Sequence, residues 1–265
     1  MKTTNPSPQA VAISAQTSTP VQSPRADRLT ALYLGCMTND LSGSTKPIWL
    51  PIYRLSWDDE GYFYYSYTRG FKDNYEQLRN RIINPDCGFN QLWKTKHLDT
   101  RFSTRYPRRA SSMKKYDWLG IGNLKGDYLA YLARSGGTRV RDSYDIFPEV
   151  QAGADGFHSF HFYVTNTRNR TEGEDNLVSL ESVLTLRSID SKSYIFHGNT
   201  KVGECPEYIH YLLDCDVYRQ HQIGIEQINQ QSAARGQVIV INLKIKFSSS
   251  PWQQSSMKPL NSMPV

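Results

Sequence analysis

The chain has 265 residues, with 31 Lys plus Arg against 25 Asp plus Glu for a formal net charge of +6, and its sequence pI is near 9.0. That length suffices for one large domain or two small ones with a real core, and the basic balance suits an anionic partner while saying nothing about fold. No run approaches the roughly 18 apolar residues that a membrane span requires, and the N-terminus has no apolar stretch of the kind a secretory signal needs.

Residues 1–28 are rich in Ser, Thr, Pro and Gln and read as a disordered leader. Then "LYLGCMT" (Leu32 to Thr38), "IWLPIYRLSW" (Ile48 to Trp57) and "GYFYYSY" (Gly61 to Tyr67) are short, β-branched and aromatic, and turn residues separate them. They predict a β-meander, with Asp58-Asp59-Glu60-Gly61 as the tight turn between the last two. In "FKDNYEQLRNRII", Phe71, Tyr75, Leu78 and Ile82 recur at helical spacing ahead of Pro85. "RFSTRYPRRASSMKKY" (Arg101 to Tyr116) follows, with six basic side chains, no acidic one and no clear period, so loop with short helical pieces is expected. A second helix is expected in "NLKGDYLAYLARSGG", stopped by Gly136-Gly137. "QAGADG" (Gln151 to Gly156) reads as a polar hinge between two parts.

Beyond it the pattern is mostly strand, with one helix starting at Pro206. In "GQVIVINLKIKF", Ile239, Ile241, Leu243, Ile245 and Phe247 share one face, and Asn242, Lys244 and Lys246 share the other. Residues 248–265 are polar and are expected to be unstructured. The fold class expected is therefore α+β, mostly β: a meander with helices from Leu29 to Gln151, then a small barrel from Ala152 to Phe247.

Catalytic and metal signals are weak. Cys36, Cys87, Cys205 and Cys215 form neither a C-x-x-C pair nor a disulfide framework, which fits separate thiols in a reducing, cytoplasmic setting. The six histidines show no metal-ligand spacing; His158 and His161, three apart on one strand, should point to opposite faces. No nucleophile elbow, phosphate-binding loop or dinucleotide fingerprint occurs. No cofactor, metal or enzymatic activity is expected. Basic residues interleaved with rings carry more. Lys and Arg that neutralise phosphates release counterions, and neighbouring rings stack bases, as in sequence-tolerant single-strand binders. Arg101, Arg105, Arg108, Arg109, Lys114 and Lys115 with Phe102, Tyr106 and Tyr116 have that composition, as do Arg134, Arg139 and Arg141. A solvated loop would have it too.

At "HFYVTNTRNR" followed by "VLTLRSIDSKSYIFHGNTKVGECPEYIHYLL" the C-terminal part resembles a HIRAN domain, a small OB-like β-barrel. The order of pieces carries the likeness: a strand, the "TNTR" loop, two strands, then "KVGECPEYI" running from strand into helix. "LARSGG" and "DSYDIFP" extend it to the region that precedes the domain in longer bacterial members, so it covers roughly Leu32 to Phe247. The resemblance implies DNA binding, in some members at a free 3′ end, through a basic and aromatic pocket. Arg168 falls where a pocket arginine stands in the family, but Asn169 and Arg170 occupy the positions of two aromatics. The acidic string that recognises the terminal hydroxyl is replaced by "SIDSKSY".

The function expected is a non-enzymatic nucleic-acid-binding module, with DNA preferred to RNA and a helicase or other protein as a further partner. Arg105, Arg108, Arg109, Arg139, Arg141, Arg168 and Arg170 are the expected phosphate contacts, with Tyr106 as the stacking ring. Lys192, Lys201, Lys244 and Lys246 would line the groove. Two rivals are a protein-interaction adaptor, prompted by Tyr62, Phe63, Tyr64 and Tyr65, and a metal-dependent nuclease, which needs converging carboxylates.

Overall fold

In the computed structural model, which describes residues 29–38, 48–78, 91–105, 114–122, 127–137, 144–166, 178–230, 237–254 and 256–260, the N-terminal apolar segments are strands β1 (Leu29–Thr38), β2 (Ile48–Trp57) and β3 (Phe63–Tyr67). They pair antiparallel in chain order, as a meander does. The β2–β3 turn closes as expected: Asp58 Oδ1 accepts from Tyr62 N at 2.8 Å, and Gly61 takes φ 80°. Two further strands widen the sheet to the order β4-β3-β2-β1-β5, with β4 at Trp93–Thr95 and β5 at Tyr144–Val150. Pro148 masks β5 in the sequence, yet β5 lies at the sheet edge, where an absent N–H need not break a ladder.

Alternation along β1 buries both of its faces. Leu32, Leu34 and Cys36 enter one core, and Tyr33 enters another. The first core is closed by short helices: α1 (Arg69–Asp73), α2 (Tyr75–Leu78), α3 (Thr100–Ser103), α4 (Lys114–Trp118) and α5 (Tyr128–Ser135). Phe71, Leu78, Phe102, Tyr116 and Leu132 are their buried contributions. The expected helix at Phe71 to Ile82 is broken at Asn74, which caps α1 and whose Nδ2 donates to Gly70 O at 2.8 Å; residues 79–90 lie outside the described residues. α5 begins at Asp127, whose carboxylate accepts from Leu129 N and Ala130 N, and ends at Gly136 in the left-handed conformation.

The C-terminal part holds two three-stranded antiparallel sheets. One has the order β10-β11-β6, from β6 (Phe157–Asn166), β10 (Tyr218–Gln230) and β11 (Gln237–Phe247); the other has the order β7-β8-β9, from β7 (Leu184–Ile189), β8 (Lys192–His197) and β9 (Thr200–Glu204). β9 runs through Cys205-Pro206 into α6 (Glu207–Leu213), as the strand-to-helix reading expects. It crosses β6 so closely at Gly203 that a Cβ there would lie 2.6 Å from Val164 Cβ. β11 buries Ile239, Ile241, Leu243, Ile245 and Phe247, and His158 and His161 do lie on opposite faces of β6.

Three expectations change. Among the described residues the two C-terminal sheets do not close into a barrel; what holds is a mostly β molecule with antiparallel sheets. The expected hinge is a tight turn, with Gly156 N donating to Gly153 O and Gly153 N to Phe157 O. The core runs across it: Tyr33, Trp49, Phe147 and Val150 pack with the inner faces of both C-terminal sheets and with α6. In the tail, residues 248–254 and 256–260 pack against the fold. Trp252 is buried and donates from Nε1 to Val150 O at 3.1 Å, while Met257 is fully buried. Arg69 N and Gly70 N donate to Lys258 O and Ser256 O, strapping the tail over α1. Apolar side chains inside a polar segment found a place in a shared core.

Phe147 is the meeting point. It stacks on Tyr33 (5.0 Å between centroids) and on Tyr208 of α6 (5.2 Å), and Trp252 stacks on Tyr33 (5.9 Å). Replacing Trp252 by Ala should cost about 3–5 kcal/mol in urea unfolding, with backbone and aromatic circular dichroism transitions moving together; separate transitions would contradict a shared core. His158 is buried edge-on to Phe247 and Trp252, and burial holds its pKa below the ordinary 6.5, although a backbone hydrogen bond at Ile245 opposes this. Its neutral form is the folded one. The stability it contributes is therefore complete above pH about 6.5, where the unfolded imidazole is also neutral. That stability falls with pH until the folded pKa is passed. His158→Phe should flatten this acid slope in denaturation curves; His221, lowered by burial as well, retains its own share.

Candidate nucleic-acid interface

Of the eight expected contact residues, Tyr106, Arg108, Arg109, Arg139, Arg141, Arg168 and Arg170 lie outside the described residues. Arg105 is described, and it is an internal brace. Its side chain is buried, its Nη1 donates to Gly137 O (2.5 Å) and Tyr144 O (2.9 Å), and its guanidinium lies 5.9 Å from the Tyr144 ring centroid. Its charge is spent on two backbone carbonyls that join the end of α5 to the start of β5. This corrects its expected role. Arg134 is likewise interior: Nη1 donates to Leu119 O (2.7 Å) and to Glu226 (2.9 Å), whose other oxygen meets His161 Nδ1 at 2.6 Å. Burial pushes the Glu226 carboxyl up, but the His161 bond and the charges of His161 and Arg134 outweigh it and leave the group below its usual value. Arg105→Ala should destabilise the fold by about 1–3 kcal/mol by orphaning buried carbonyls, and leave the salt dependence of nucleic-acid binding unchanged; a changed slope with unchanged stability would restore it as a contact.

On the outer face of β7-β8-β9 the exposed cations Arg187 and Lys201 lie over two rings, Phe196, which is buried beneath them, and Tyr194, which is half-buried. The β7–β8 turn is made by Asp190 and Ser191, both at positive φ, as a two-residue hairpin turn demands. The resulting register places Arg187 opposite Tyr194, Thr185 opposite Phe196 and Ile189 opposite Lys192. On the other side of β8, Lys201 stands opposite Phe196 and Glu204 opposite Tyr194. Leu184, Ser193, Ile195 and Val202 turn inward and are buried. Outside, the Arg187 guanidinium lies 4.5 Å from the Phe196 ring centroid and donates to Gly198 O at 2.8 Å. Lys201 Nζ lies 3.8 Å above the Tyr194 ring. Neither has a carboxylate partner among the described residues. Lys192 is paired with Glu204 at 2.7 Å, and that hydrogen bond raises its pKa.

The rings thus hold the cations upright on a pleated surface, and each cation keeps N–H groups free for an anion. Lys192 and Lys201 were among the expected groove residues. Arg187, Tyr194 and Phe196 were not, although the alternation in "LTLRSI" and "KSYIFH" encodes their shared face. Lys244 and Lys246 sit apart on β11, the first bridged to Asp155 at 3.3 Å and the second over the Phe157 ring at 5.7 Å. In the Tyr-rich strand, Phe63 and Tyr65 are buried, while Tyr62 and Tyr64 are half-buried beneath Lys94, at 4.0 and 5.2 Å.

A hollow of about 750 Å³ between α1, the β7–β8 turn, α6 and the tail has a mostly acidic wall. Asp73, Asp190, Glu207, Asp214 and Asp216 line it against Lys192 and His210. At its wall Ser193 Oγ and His210 Nδ1 stand 3.2 Å apart, and Ser193 is 1% exposed. The described residues hold no cluster of three or more His, Cys, Asp or Glu arranged for a metal ion, and no helix among them is long and apolar enough to cross a membrane. No protein-family model, curated protein or solved structure matches the chain.

Proposed function

We propose that the protein is a nucleic-acid-binding module of HIRAN-like descent that grips a single strand across the outer face of β7, β8 and β9. The observation that carries this is the pair of uncompensated cations, Arg187 and Lys201, each laid over a ring on one exposed sheet face. A phosphate chain running across the strands would meet both cations. A base would stack on the open plane of the Arg187 guanidinium, as unpaired bases do on arginine and aromatic surfaces. The order of strand, turn and helix from Leu184 to Leu213 is the stretch that resembles HIRAN domains, which supports placing the interface there. The barrel of that family and the capture of a 3′ end belong to the same proposal. The basic segments holding Arg108, Arg109, Arg139 and Arg141 would add contacts that depend on salt and not on sequence.

Fluorescence-anisotropy titrations of oligo-dT across a salt series test this. Arg187→Ala with Lys201→Ala should weaken binding to all sequences alike and reduce the slope of log K against log salt by about 1.4, since each single-strand phosphate contact contributes about 0.7. Unchanged affinity and slope would remove this face from the site. A protein-interaction surface is the second reading, favoured by the bare side chains of Leu180 (57% exposed), Val183 (77%) and Ile189 (45%) before and along β7. Exposed apolar side chains of this kind suit a partner's core contacts.

A further inference from the structure

A second hollow, about 360 Å³, lies between the end of α5, the β6 strand and the β9–α6 junction. Tyr208 lines it and is 1% exposed, and its hydroxyl has no hydrogen-bond partner among the described residues. Buried hydroxyls are nearly always paired, so this one needs an explanation. Burial pushes its pKa far up, and the charge of Asp145 adds to the shift, which places the oxygen within electrostatic reach of a carboxylate on the same wall. Glu207 is half-buried on that wall and makes no hydrogen bond or ion pair among the described residues. Its carboxyl is pushed up first by burial, then by Asp145 and Glu204, with Lys192 opposing. Arg134 also borders the hollow, but its guanidinium is committed to Leu119 O and Glu226. Phe162 and Val164, each 2% exposed, supply an apolar side.

We infer that this hollow binds an alkylammonium group, with the Tyr208 oxygen and the Glu207 carboxylate as its acceptors and Phe162 and Val164 against its methylenes. An ammonium has donors and no acceptor, which matches a carboxylate and a phenol oxygen. The hollow falls within the size range of small-ligand sites. The ammonium comes either from a lysine side chain of a peptide or from a small free amine. Nothing in this site depends on nucleic-acid binding.

Calorimetric titration of the full chain with n-butylammonium and with Nα-acetyl-lysine methylamide tests it, with n-butanol and tetramethylammonium as probes lacking the charge or the N–H donors. Both amines should bind saturably and both controls should fail; the tighter of the two amines identifies the source. Glu207→Gln should weaken the amines about tenfold, the worth of a hydrogen bond to a charged group. Tyr208→Phe keeps the ring stacked on Phe147 and removes only the orphan hydroxyl, so it should weaken binding several-fold while leaving the melting temperature equal or higher. A merely structural tyrosine would leave the affinity unchanged, whatever the melting temperature does. Failure of the wild-type chain to bind either amine, equal binding of the controls, or equal affinities in all three proteins would overturn the assignment.

Discussion

The stack of Tyr33, Phe147 and Tyr208, flanked by Trp252, is the contact on which the rest depends. Phe147 belongs to the edge strand of the first sheet, Tyr208 to the helix behind the third, and Trp252 to the C-terminal tail. All four are buried. Aromatic pairs at these separations are worth about 0.5–1.5 kcal/mol each beyond their area, but their larger effect is geometric. They bring the first sheet, α6 and the tail to one point in a shared core.

That fixed frame decides where chemistry occurs. β9 enters α6 under the constraint of Gly203 against Val164, so the β7-β8-β9 sheet has its inner face committed to the core and its outer face presented to solvent. Cations placed outside on such a sheet lie over neighbouring rings because the strands bring diagonal side chains within reach. The same junction separates two acidic hollows from the basic face. In the proposed reading, anion and cation recognition would lie to either side of this strand-to-helix connection, near the Lys192–Glu204 pair.

Much of the fold was legible wherever a local rule governed it. The meander follows from turn residues and β-branched runs, the end of α5 from the Gly136-Gly137 pair, and β11 from the alternation of its second half, Asn242 to Phe247. What escaped was non-local. β5 contains a proline tolerated only because its partner lies on one side, and β4 is three residues long. Trp252 and Met257 are isolated apolar residues in a polar segment, and no periodicity announces that a core awaits them. The site was half legible. Basic composition pointed to Arg105 and Arg134, but composition does not report burial, and both proved to be braces for backbone carbonyls. Lys192 and Lys201 could be placed from strand alternation; pairing with Tyr194, Phe196 and Arg187 required the register of three strands.

The central claim is that the outer face of β7, β8 and β9 is where a nucleic acid lies. Amide hydrogen exchange of the full chain, with and without a single-stranded oligonucleotide, addresses it most directly. Slowed exchange concentrated between Leu184 and Glu204, with the acidic hollow at Asp214 and Asp216 unaffected, is the predicted result. Protection elsewhere with none on these three strands, or no protection under conditions where the oligonucleotide is bound, would contradict it.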